Sequence, residues 1–154
     1  MKEAQVKKVR RNLVVLIVIA GVTAAAAAFA LVMAVPALAS APRAGTLAVT
    51  EDCSQYDGTA GSFCTIASSN LDAIPAGSKL VATSAKGAGV LDSDLVLYTR
   101  GANAAYGHVV LDLATGTGTA TFSGGTGQFK KFSASVAVSH LGGRNFGWSG
   151  SYSY

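Results

Sequence analysis

From Asn145 to Tyr154 the chain reads NFGWSGSYSY, with Phe146, Trp148, Gly150, Tyr152 and Tyr154 on one parity and Gly147, Ser149, Ser151 and Ser153 on the other. Successive strand side chains point to opposite faces, so this period of two describes a strand with one aromatic, buried face and one small polar face. No helix can hold that pattern on one side. The preceding segment behaves alike: Phe132, Ala134, Val136 and Val138 alternate with Ser133, Ser135, Ala137 and Ser139. The Leu141-Gly142-Gly143-Arg144 turn joins the two as a hairpin. Further back, Val109, Leu111 and Leu113 share a face opposite His108, Val110 and Asp112.

Short alternating runs separated by Gly, Ser, Thr and Asn continue upstream, and none after residue 40 carries a helical period. Strands are expected at 46–50, 64–68, 78–84, 94–99, 106–113, 117–123, 132–140 and 145–154. Eight short antiparallel strands leave adhesive edges in an open sheet, so they must stack as a β-sandwich or close into a barrel. The small residues on alternate positions suit the interior and corners of a barrel, which is the expected fold: an all-β, small antiparallel eight-stranded barrel.

A different segment precedes the domain. Lys2, Lys7, Lys8, Arg10 and Arg11 stand before an apolar run from Leu13 to Val35 broken only by Thr23. Pro36 and Ala37-Leu38-Ala39 follow. A basic start, an apolar helix and an A-x-A site form an export signal, with cleavage expected after Ala39 or, next, after Ala41. The alternative is an uncleaved anchor, since the run exceeds the ~20 residues of a bilayer crossing. Arg10-Arg11 does not make a twin-arginine signal, because Val9 occupies the Ser or Thr position. Residues 1–39 are therefore read as signal peptide or anchor, and 40–154 as the barrel domain, secreted or otherwise extracytoplasmic.

The whole-chain charge of +4 lies in the leader. Residues 40–154 hold seven basic and seven acidic side chains, which argues against a nucleic-acid partner. Cys53 and Cys64 are the only cysteines, and an even pair in an exported chain is read as a disulfide. Asp57-Gly58 and Gly61 between them let the chain reverse. Without a C-x-x-C spacing or a clustered His pair, neither a redox couple nor a metal site is expected.

The stretch Thr121-Phe122-Ser123-Gly124-Gly125-Thr126-Gly127-Gln128-Phe129, with Tyr106-Gly107-His108 upstream and the Trp148–Tyr154 strand downstream, resembles the glycine-rich hairpin of allene oxide cyclase and dirigent-like barrel proteins. It is similar also to small exported bacterial proteins with the same barrel-like ending. The resemblance covers roughly residues 94–154 and implies an eight-stranded antiparallel barrel. In the plant families polar side chains inside the barrel steer a reactive intermediate, and no such set is matched here residue by residue.

Several local strings invite chemistry and decline it. Gly124–Gly127 is no phosphate loop, lacking G-K-[ST] and a following helix, and serves a hairpin instead. Ser149 has its second glycine one residue early for a nucleophile elbow and lies in a strand. Asp92 and Asp94, beside Ser93, are read as solvated loop carboxylates, and Asp112 is too far along the strand to pair with His108. The aromatic face of the last strand, Phe146, Trp148, Tyr152 and Tyr154, either fills the core or lines a small apolar pocket. Pocket candidates are thus Tyr98, Tyr106, His108, Phe146, Trp148 and Tyr152, with no metal or cofactor.

Two functions remain. One is a monomeric, non-catalytic extracellular or surface binding module for an unknown small apolar ligand or surface partner. The other is an isomerase or cyclase whose apolar substrate sits in the barrel, with Tyr98, Tyr106 or His108 as polar contacts. An outer-membrane barrel is disfavoured because most expected strands fall short of the ~9–11 residues needed to cross.

Overall fold

The computed structural model describes residues 43–154, so the expected export helix and cleavage site lie outside the described residues. Strands β1 (Ala44–Asp52), β2 (Phe63–Ser69), β3 (Lys79–Ala82), β4 (Val90–Tyr98), β5 (Ala104–Asp112), β6 (Thr117–Gly125), β7 (Ser133–Gly142) and β8 (Asn145–Ser153) pair in sequence order, all antiparallel. β8 returns to β1 from Ala44↔Ser153 to Asp52↔Asn145, and the barrel closes. The sandwich alternative is thereby set aside.

Alternation decides the two surfaces. Leu47 and Val49 of β1, Leu95 and Leu97 of β4, Val109 and Leu111 of β5, Val136 and Val138 of β7 and Trp148 of β8 are buried inside. Outside, Thr121, Ser135, Ser151 and Thr46 line up across four neighbouring strands, all exposed. An outer-membrane barrel carries an apolar band on its outside and polar groups within. This barrel is apolar within and polar along the outer faces of β6, β7, β8 and β1, the reverse of that arrangement. Strand length does not argue against the membrane class: six of the eight strands reach nine residues or more, longer than the sequence suggested.

β4 begins at Val90, four residues before the expected start at Asp94. The inward parity Leu91, Ser93, Leu95, Leu97 contains one hydroxyl, which obscures the apolar pattern. Ser93 is buried at no cost in unmade bonds, because its Oγ accepts from Ser84 N at 3.0 Å and donates to Asp94 O at 2.9 Å. Asp92 and Asp94 consequently stand on the strand's outer face, not in a loop.

The two barrel ends differ. At one, Phe129 and Phe132 from the β6–β7 connection pack edge-on at 5.2 Å, and Phe132 meets Tyr152 and Tyr154 of the β8 end. Ile74 of the β2–β3 loop, at the same end of the barrel, is fully buried. The glycine-rich turn makes this plug possible. Gly124 and Gly127 adopt φ of 75° and 55°, left-handed values that glycine takes without strain. Thr126 between them donates from Oγ1 to Ala102 O and accepts from Ala104 N, pinning the turn to β5. Gln128 Nε2 donates to Ala73 O at 3.2 Å and ties the plug to the β2–β3 loop.

Candidate functional site

At the other end, where β1, β3, β5 and β7 finish, the interior is not filled. A cavity of about 70 Å³ lies there, lined by aliphatic side chains of β3–β7, by Tyr56, Phe146 and Trp148, and by Glu51 and the Cys53–Cys64 disulfide. Glu51 arrives by simple strand parity: Leu47, Val49, Glu51 and Cys53 alternate inward, so a carboxyl follows two core aliphatics onto the same face. Tyr56 comes from the loop after β1. That loop is held in place by Tyr56 N donating to Cys53 O at 3.1 Å, and by Arg144, whose Nη1 donates to Ser54 O at 2.9 Å and whose carbonyl accepts from Cys53 N at 2.8 Å. The β7–β8 turn and the β1–β2 loop thus clasp each other at the cavity mouth.

Glu51 is 5 % exposed. Among the described residues the buried side-chain oxygens without a hydrogen-bond partner are Glu51 Oε2, Tyr56 Oη and Thr99 Oγ1. Two of those three line this one cavity. An orphaned buried acceptor or donor costs roughly 1–3 kcal/mol, and here two of them belong to residues that line one mostly apolar space. Burial pushes the Glu51 carboxyl up to about 7, and the Trp148 indole N–H offsets part of that rise. Burial, reinforced by the Asp57 charge, also raises the Tyr56 hydroxyl above its ordinary value, which keeps it neutral at physiological pH.

One Glu51 oxygen and the two cysteine sulfurs lie within 4.8 Å of one another, a grouping that in a reduced protein would suggest a metal. Here both sulfurs are joined in a disulfide and offer no thiolate. What the arrangement can do chemically is narrower. It can accept or donate a hydrogen bond, or hold one charge, inside a mostly apolar cavity.

Of the six pocket candidates, Phe146 and Trp148 line this cavity. Tyr152 points inward too, but at the opposite end, packed into the aromatic plug. Tyr98 and Tyr106 are 52 % and 48 % exposed on the outer wall, so they cannot contact anything inside. Their even parity in β4 and β5 opposes the inward odd positions, and that parity had been legible. His108 is also outside, with Nδ1 3.0 Å from Asp94 Oδ1 and Nε2 3.2 Å from Asp92 Oδ1. The register His108↔Asp94 makes this contact, which spacing along one strand could not reveal. Half-exposed pairs of this sort contribute little to stability.

Glu51 and Tyr56 are the candidate site groups that sequence reasoning missed. Extending β1 by one inward position past Val49 would have found the first. The second sits in an irregular loop and left no periodic signal. Comparison of the chain with family models, with curated proteins and with solved structures returns no match.

Proposed function

We propose that the barrel is an extracytoplasmic binding module that takes a small, largely apolar molecule into the cavity between Glu51, Tyr56, Phe146 and Trp148. The observation that carries this reading is the pair of unsatisfied oxygens, Glu51 Oε2 and Tyr56 Oη, on two residues that line a single, mostly apolar cavity. A ligand with one polar group and a hydrocarbon body answers both features at once. The closed disulfide fits an oxidising compartment, in keeping with the export reading of the leader.

The size of the chamber sets the class of ligand. Pockets for drug-sized molecules run to about 300–1,000 Å³. This one, at about 70 Å³, suits something far smaller. Native mass spectrometry of the exported protein, purified from its own culture medium, should show a low-mass adduct that Glu51→Gln weakens. A wild-type protein that is consistently bare under conditions that preserve non-covalent ligands would count against the module.

A second reading draws support from Glu51 alone. A carboxyl lifted to about 7 is matched to general acid or base work at neutral pH, as the isomerase or cyclase suggested by the family resemblance would need. It requires that a molecule recovered from the cavity be converted when incubated with fresh protein. Recovery unchanged leaves the binding module.

A further inference from the structure

We propose that the molecule held in this cavity is a small organic ammonium ion, with Glu51 as its counter-ion and Tyr56, Phe146 and Trp148 as the aromatic wall beside it. This rests on the small-molecule reading above and narrows it to one charge class.

Three observations converge. First, Glu51 is nearly fully buried with an unpartnered oxygen, and no Lys, Arg or His lines the cavity to neutralise it. A carboxylate buried without a counter-charge is expensive, so below about pH 7 the acid is protonated, and only a proton or a bound cation can balance its charge. Second, three aromatic side chains surround the same space. Ring faces attract cations, Trp most strongly, while a carbonyl or other electron-rich oxygen gains nothing from them. Third, the rest of the wall is aliphatic and the volume is about 70 Å³. That space accommodates about half a dozen non-hydrogen atoms, the scale of a methylated or short-chain alkyl ammonium.

Binding is then an exchange of cations at Glu51. The ammonium enters, the carboxyl proton leaves to solvent, and the net charge of the chamber stays zero. Titratable groups facing Glu51 are few. Tyr56, from the loop after β1, is the one other in the lining; β2 contributes the closed disulfide, β3–β7 aliphatic side chains, and β8 Phe146 and Trp148. The pH dependence of binding is therefore that of Glu51, and affinity rises with pH through about 7.

The chain has one tryptophan, Trp148, and it lines the cavity, so its fluorescence reports occupancy. Choline and its neutral carbon isostere, 3,3-dimethylbutan-1-ol, make a matched pair of probes. At about pH 8.5 choline should bind at least about tenfold more tightly than the isostere, and at about pH 6 its affinity should fall about tenfold as the proton competes. Calorimetry at about pH 6 in two buffers of different ionisation enthalpy should show close to one proton released per choline bound, and none for the alcohol. Glu51→Gln should erase the preference for the cation. Should that variant fail to fold, proton release by the wild type decides the matter alone.

An isostere that binds as well as choline, with affinity flat or falling as pH rises, overturns the ammonium assignment and leaves the small-molecule reading standing. Failure of both probes to perturb Trp148 also overturns it. The broader reading then depends on whether native mass spectrometry finds an adduct, an independent result.

Discussion

Glu51 shows how one side chain carries opposite costs in stability and function. Its ordinary value is 4.5 and its folded value about 7, so the folded state binds the proton more tightly than the unfolded one. The resulting stabilisation is complete below about pH 4.5 and is lost as pH rises through about 7, by which point the loss amounts to about 3 kcal/mol. Glu51→Gln has no charge to bury. In the unliganded protein, its melting temperature relative to wild type should climb between about pH 4.5 and pH 7.5 and then level off. A difference that stays constant with pH would mean that the carboxyl is solvated. Gly150 makes a different point at the same scale. It faces inward between Tyr152 and Trp148, and a methyl there would strike the Ser135 carbonyl oxygen and lie 2.7 Å from Val136 Cα. Backbone rather than a pliant side chain is in the way. Gly150→Ala should cost at least about 1–3 kcal/mol by denaturant titration, whereas Ser149→Ala on the outer face of the same strand should stay within about 0.5 kcal/mol.

Among the elements, the β1–β2 loop bears the most on the cavity. Its disulfide bridges residues 11 apart and forms part of the chamber wall. Closing a loop this short stabilises by roughly 2–3 kcal/mol in the chain-entropy account. Replacing both cysteines with serine should lower the unfolding free energy by about that amount and should also weaken any occupant, because the loop that delivers Tyr56 is released. Stability lost with occupancy intact would assign the bridge to the fold alone. The cysteine pairing was legible from count and compartment, as were β7 and β8, whose alternation is unbroken. β4 was only half legible, since the hydroxyl of Ser93 on its inward face and the carboxylates of Asp92 and Asp94 on its outward face look like a loop until the neighbouring strand is placed.

For the molecule as a whole, closure is the decisive event. β8 pairs over its length with both β7 and β1, so it is the last stave of the barrel and also the source of Phe146 and Trp148. A chain ending before Asn145 would expose the edges of β1 and β7 together with the aliphatic interior. Circular dichroism and size exclusion should find it aggregated or without a cooperative transition. A cooperatively folded monomer would show that closure is dispensable. The strand order β1 to β8 also explains why the two ends of the barrel took different parts. Connections β2–β3, β4–β5 and β6–β7 gather at one end, where Phe129, Phe132 and Ile74 seal it. The remaining connections gather at the other, where Tyr56 of the β1–β2 loop lines the cavity and no aromatic cluster like the Phe129–Phe132 pair closes it among the described residues.

By itself the sequence determined that the domain is built of strands, which side of the last strands is buried, that two cysteines are paired and that the domain is electrically balanced. Those properties follow from a period of two and from composition, both of which are local and survive without knowledge of partners. Only the tertiary structure decided which inward residues meet. Trp148 and Tyr152 share one face of one strand, yet the first lines the cavity and the second stops the opposite end. Glu51 and Phe146, far apart in the chain, sit side by side because β8 pairs with β1 in one register. Register and closure are cooperative outcomes of many cross-strand contacts, and no single segment encodes them.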